Sequence, residues 1–163
     1  MKKIKEKFLN LIDMHQGIIH KIVSIYTYQE EERQDLFQEI LLQLWKSYPG
    51  FKEKSLFSTW MYRVSLNTAL QYKRKIRTEQ NAMINLKANI SNYFQVDANN
   101  QVISLYMAID ELGQVDKAIA LLYLEQKNYQ EIAEIMGMNK SNVGVRINRI
   151  KNKLKKILDY EQE

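Results

Sequence analysis

The chain has no cysteine, which excludes a disulfide framework and any thiolate metal site. It has only two histidines, and neither lies close enough to Asp35 and Glu39 to complete a metal site with them. No metal and no cofactor is therefore expected. The longest apolar run, residues 118–124, is far shorter than the ~20 residues needed to span a bilayer. The N-terminus carries lysines but no apolar stretch followed by a small-residue cleavage site, so no secretion signal is read. These absences point to a soluble cytoplasmic protein without membrane insertion. One proline and five glycines leave little to interrupt helix, and the strict alternation that marks half-buried strands is missing. The expected fold class is all-α.

A hydrophobic fraction of 45% is enough for real cores. A length of 163 residues accommodates two compact helical units on a linker, since domains of roughly 50 residues can fold alone. The net charge of +5 is unevenly placed. Residues 1–78 hold 14 Lys/Arg against 8 Asp/Glu, whereas residues 106–163 hold 9 of each. Within that neutral last part, the stretch from Lys140 to Lys156 has seven cations and no acid. One basic helix on a neutral domain points to a polyanion partner on one face.

Helical periodicity covers most of the chain. A first helix is expected over about 2–26, with apolar positions Ile4, Phe8, Leu11, Ile12, Ile18, Ile19 and Ile22, and with Gly17 as a possible break. The acidic patch at 30–32 leads into a second helix over 35–48, which Pro49-Gly50 ends. A loop of about eight residues precedes a third helix near 58–77. Residues 79–104 are rich in Asn and Ala and sparse in charge, and read as a flexible linker with one short helix. A second helical unit, 105–163, follows.

The most specific local pattern lies in that second unit. Asn128 followed by Glu131 has the spacing of a capping box. Ile132, Ala133 and Met136 form the buried side of the helix it starts. Gly137-Met138 makes a tight turn, and Asn139 can cap the next helix. There Val143, Ile147, Ile150, Leu154 and Leu158 recur at helical spacing and form the core stripe. Ser141, Asn142, Val145, Arg146 and Arg149 project away from it. This is the form of a helix-turn-helix whose second helix enters the DNA major groove. Arginine bonds bidentately to guanine and asparagine to adenine there. Lys151, Lys153, Lys155 and Lys156 are expected to touch phosphates or only solvent.

In the first unit, Leu36, Ile40 and Leu44 are spaced to pack inward, and Asp35, Gln38, Glu39 and Gln43 share another face. An acidic and amide surface of this kind suits a basic or polar partner helix, or is simply solvated. On the third helix Met61, Val64, Ser65 and Thr68 fit an inward stripe, while Arg63, Asn67, Gln71 and Arg74 form a polar face. A cationic helix beside aromatic Tyr48, Phe51, Phe57 and Trp60 could hold an opened DNA strand by stacking and phosphate contacts. The same aromatics equally suit a core.

Taken together, these segments resemble the bacterial RNA polymerase sigma factors, in particular the extracytoplasmic-function (ECF) group. Asp35-Leu36-x-Gln38-Glu39 with Leu44-Trp45 resembles that family's polymerase-binding helix. Residues Phe57 to Val64 with Asn67-Thr68-Ala69 resemble the helix that handles the −10 promoter element. Tyr129-x-Glu131-Ile132-Ala133 through Val143-x-x-Arg146-Ile147-x-Arg149 resembles the helix-turn-helix that reads the −35 element. Three motifs in the right order are far more specific than any one.

The resemblance implies that residues 1–78 bind core polymerase and the −10 element, with 79–104 as linker and 105–163 on the −35 element. It implies that Asp35, Gln38 and Glu39 face the polymerase, and that the loop from Pro49 to Phe57 helps capture a flipped base. Arg63, Asn67, Gln71 and Arg74 would lie along the −10 DNA, and Ser141, Asn142, Arg146 and Arg149 along the −35 DNA. The implied partners are core RNA polymerase and promoter DNA, with an anti-sigma factor admitted by analogy. Chemistry would remain with the polymerase, so no catalytic residue is expected. Gly144 and Val145 depart from the basic or hydroxyl residues of many relatives, and Leu112-Gly113 stands where Leu-Pro is common. A stand-alone helix-turn-helix regulator is the alternative. A metal-dependent nuclease using Asp35 and Glu39 is the weakest reading, with few ligands and no phosphate loop.

Overall fold

The computed structural model describes residues 2–79 and 100–160, all of whose regular structure is helical. Most of the expected linker, residues 80–99, lies outside the described residues, as does the short helix expected within it. Contacts divide the chain into two compact units, 1–81 and 82–163.

The first unit holds α1 (Lys2–Tyr26), α2 (Glu30–Ser47), a 3-10 turn (Tyr48–Gly50) and α3 (Phe57–Glu79), with each helix packed on the other two. Helix α1 runs through Gly17 without a break. Its core face is Phe8, Ile18, Ile19, Ile22, Val23, Ile25 and Tyr26, whereas Ile4 is exposed. Helix α2 starts five residues earlier than expected, because the acidic patch is its first turn and not a lead-in. Carboxylates there face the positive end of the helix dipole, and Glu30 accepts hydrogen bonds from Arg33 and Gln34. Leu36, Ile40 and Leu44 are fully buried, one helical turn apart, and α2 packs on α3, where Met61, Leu66 and Ala69 are buried as well. Pro49 sits in the 3-10 turn that ends α2.

The second unit holds α4 (Asn100–Asp110), α5 (Gln114–Leu124), α6 (Tyr129–Met136) and α7 (Lys140–Tyr160). Helix α7 packs on all three of the others. Helix α4 begins at Asn100, so residues 100–104 are helical and not linker. The core is Ala108, Ile109 and Leu112, the α5 residues Ala118 to Leu122, then Ile132, Ala133, Ile135, Val143, Ile147 and Ile150. Leu154 and Leu158 of the expected stripe are only half-buried, and Tyr123 and Leu124 at the end of the apolar run are exposed. Lys117 is buried in this core and its ammonium meets Asp110 at 2.5 Å. Among the described residues no helix is long and apolar enough to cross a membrane.

Candidate nucleic-acid and polymerase interfaces

The turn between α6 and α7 is built by local chemistry at three points. Asn128 Oδ1 accepts from the backbone N–H groups of Gln130 and Glu131, and Glu131 Oε2 accepts from the Asn128 N–H. Gly137 then takes a left-handed conformation, φ 66° and ψ 36°, which a side-chain-bearing residue adopts only at a cost. The Met138 N–H closes this end on the Ala133 carbonyl at 3.0 Å. Asn139 Oδ1 accepts from the Asn142 N–H at 2.8 Å and so caps the N-terminus of α7.

Those caps fix which side of α7 faces out. Val143, Ile147 and Ile150 are buried, while Ser141, Asn142, Val145 and Arg149 are exposed and Arg146 is half-buried. The five outward residues expected from the pattern therefore share one face. Gly144 lies beside the Tyr129 ring, whose nearest carbon would be 3.6 Å from an added Cβ. Two of the lysines expected to meet phosphate or solvent have partners within the unit. Lys151 Nζ lies 4.6 Å from the centre of the Tyr123 ring, and a hydrogen bond to Tyr123 raises its pKa above the ordinary lysine value. Lys153 donates to the Glu111 carbonyl at 3.1 Å. Lys155 and Lys156 are exposed.

A contact with no sequence signal joins α5 to this face. Asp116, in the first turn of α5, accepts from Arg146 Nη1 at 2.5 Å and from Arg149 Nη2 at 3.4 Å. Both arginines expected to face DNA are thus already held by one carboxylate. A separation of 30 residues gives helical spacing nothing to register.

In the first unit, Arg63, Asn67, Gln71 and Arg74 are all exposed on α3, as the polar-face reading requires. Met61, Ser65 and Thr68 are buried, with Val64 half-buried. The aromatic residues form a single cluster. Trp60 lies 5.0 Å from Phe51 and 5.3 Å from Phe57, and Tyr48 lies 6.2 Å from Trp60, between ring centres. Tyr48 is buried, but Phe51, Phe57 and Trp60 are each only half-buried, so the cluster is both packing and partly accessible surface. The loop above it is six residues, 51–56, rather than eight. Glu53 takes a left-handed φ of 54° there and pairs with Lys7 of α1 at 3.0 Å.

Asp35, Gln38, Glu39 and Leu42 of α2 line a groove whose other wall is Thr68, Gln71, Tyr72, Lys75 and Ile76 of α3. Gln71, grouped with the DNA-facing residues by sequence, thus shares this groove with the three residues expected to face polymerase. Gln43 donates to Glu39 Oε1 at 2.8 Å and orients that carboxylate. Burial, followed by the nearby charges of Glu32 and Asp35, raises the Tyr72 pKa above the ordinary tyrosine value.

Two family models match in order along the chain: sigma-70 region 2 over residues 11–79 and sigma-70 region 4 over residues 103–154. The ECF RNA polymerase sigma-E factor of Haemophilus influenzae is 29% identical, over 94% of this chain and 90% of its own length. The ECF sigma factor SigW of Bacillus subtilis is 23% identical over the same shares. Among solved structures, the sigma factor RpoE of Bartonella quintana, crystallised with the anti-sigma factor NepR, superposes with a TM-score of 0.68 at 18% identity, covering 98% of each chain. Each family model falls on one of the two helical units just described. The chain belongs to the sigma-70 family of RNA polymerase sigma factors, in its extracytoplasmic-function group.

Proposed function

We propose that this sigma factor divides its work between its two helical units, with core polymerase and the −10 element on the first and the −35 element on the second. As a sigma factor it binds core RNA polymerase and directs promoter recognition and transcription initiation. The observation that carries the division of labour is the face of α7. Two independent caps and a left-handed glycine present Ser141, Asn142, Val145, Arg146 and Arg149 on one side of a helix. Such a helix fits the major groove, where Arg and Asn edges read guanine and adenine and an exposed Val145 suits a thymine methyl group.

On the first unit, Asp35, Gln38 and Glu39 are assigned to a helical partner on the polymerase, which their groove would receive. Arg63, Asn67 and Arg74 are assigned to the −10 DNA, and Gln71 borders both surfaces. The half-buried rings of Phe51, Phe57 and Trp60 offer a stacking surface for an unpaired base. RNA synthesis itself stays with the polymerase, and the cytoplasm, where that enzyme works, is the proposed location. An anti-sigma factor is a further proposed partner, as the sigma factor RpoE of Bartonella quintana, which shares this fold, was solved in complex with the anti-sigma factor NepR.

A stand-alone helix-turn-helix regulator is not favoured, because the region 2 match accounts for nearly all of the first unit. The test is transcription in vitro with purified core enzyme and a promoter library. Added protein should make core enzyme initiate at a defined subset of templates. Start-site choice identical with and without the protein would reject the function. Tight operator binding without polymerase would favour the regulator.

A further inference from the structure

The two arginines on the outward face of α7 are not independent side chains. Asp116 enters from α5, its side chain 20% exposed, and gives one carboxylate oxygen to each of them. Arg146, 35% exposed, has the shorter contact at 2.5 Å, whereas Arg149, 63% exposed, is held at 3.4 Å. The stronger link is therefore to Arg146, since a long contact to an exposed partner contributes little.

We propose that Asp116 is a positioning and specificity-determining residue for −35 recognition, acting through Arg146. The inference rests on the assignment of α7 to that element. Two physical effects work in the same direction. A guanidinium is a planar fork with five donors, so bonding one Nη to Asp116 fixes the plane and leaves donors for a base edge. An arginine ordered in advance loses less freedom when it docks, which favours the one geometry that matches a base. Asp116 also subtracts negative-on-positive attraction from the face, because its charge offsets part of the cationic field that any phosphate backbone would feel. Sequence-independent binding is lowered while base readout is supported, and the ratio between them rises.

The experiment uses holoenzyme assembled from core polymerase and the full chain, with promoter duplexes that differ only in the −35 element. One duplex carries the element that wild-type holoenzyme selects from a randomised library, and the other carries a scrambled element. Asp116→Asn preserves shape and removes the charge. Affinity for the scrambled duplex should rise, and the selected-to-scrambled ratio should fall by about tenfold, the scale of one bidentate base contact. The salt slope should steepen by about one phosphate contact as a released cation finds the backbone. In an Arg146→Gln background the same substitution should leave the ratio unchanged. Asp116→Glu, which keeps the charge, should restore part of it.

An unchanged ratio for Asp116→Asn, in a wild type that does discriminate, overturns the inference and leaves the function standing. An equal fall in the Arg146→Gln background also overturns it, since the effect would then run through the fold and not through the arginine. No recovery with Asp116→Glu counts against it in the same way. A wild-type holoenzyme indifferent to the −35 sequence removes both the inference and the assignment beneath it.

Discussion

Asn128 and Glu131 cap each other: the Asn128 side chain accepts the Glu131 N–H at 3.0 Å, and the Glu131 carboxylate accepts the Asn128 N–H at 2.8 Å. This reciprocal pair starts α6, a helix of only eight residues. So short a helix has little stability of its own, which makes the cap a large share of what holds it. Asn128→Ala should lower the stability of the second unit by about 1 kcal/mol, read as a shift in the urea midpoint. Because α6 sets the entry of α7, promoter binding should weaken as well. An unshifted midpoint would mean that packing of Ile132, Ala133 and Ile135 alone fixes the helix.

Lys117 presents a different energetic case. Its side chain is 3% exposed and its ammonium meets the Asp110 carboxylate, itself 11% exposed, at 2.5 Å. Desolvating both charges offsets most of their attraction, so the pair matters chiefly when one member is removed. Asp110→Ala should lower stability by about 3 kcal/mol. The double variant Asp110→Leu with Lys117→Met should recover most of that loss by replacing the pair with apolar contact. A double variant no better than the single one would show that the ion pair, and not the burial of a lone charge, sets the energetics.

Tyr26 gives the first unit a pH limit. It has no exposed surface at the end of α1, and burial pushes its phenol well above the ordinary value near 10. The unfolded chain therefore gives up this proton at a lower pH than the folded one. Stability from the buried neutral phenol is complete below about pH 10 and is lost progressively above it. Thermal unfolding of the first unit should show this alkaline decline, and Tyr26→Phe should flatten it. A decline of the same steepness in Tyr26→Phe would assign it to other groups.

Local signals in the sequence carried much of this architecture, and tertiary contacts supplied the rest. The spacing of Leu36, Ile40 and Leu44 identified a buried stripe that is fully enclosed. Asn128, Glu131, Gly137 and Asn139 announced the α6–α7 turn, because capping and left-handed backbone depend on residues within one helical turn. The five exposed or half-exposed residues of the α7 face followed from the same periodicity. By contrast, a glycine such as Gly17 signals no more than a point where a helix can break, and packing of Ile18, Ile19 and Ile22 carries α1 through it. Ile135 is buried without a clear signal in the pattern, since a short helix gives too few turns to define its buried arc. The links from Asp116 to Arg146 and from Asp110 to buried Lys117 depend on how helices cross, which spacing along one helix does not encode. The groove that brings Gln71 beside Asp35 and Glu39 arises the same way, from the packing of α2 on α3.

The polymerase assignment rests on that groove and yields the last prediction. Asp35 is exposed and Glu39 half-buried, and neither belongs to the Leu36–Ile40–Leu44 core. Replacing both with alanine removes two charges from the surface while leaving every buried apolar contact in place. Alanine also favours helix more than aspartate does, so α2 should persist. Asp35→Ala with Glu39→Ala should weaken binding to core polymerase by roughly tenfold or more, as expected for central polar contacts at a specific interface. The thermal unfolding curve should be nearly unchanged. Competition against wild-type protein for a limiting amount of core enzyme measures the first quantity directly. A doubly substituted protein that competes as well as wild type would place the polymerase contact on another face of the first unit. If affinity falls only together with the unfolding temperature, the two carboxylates support the helix and not the partner.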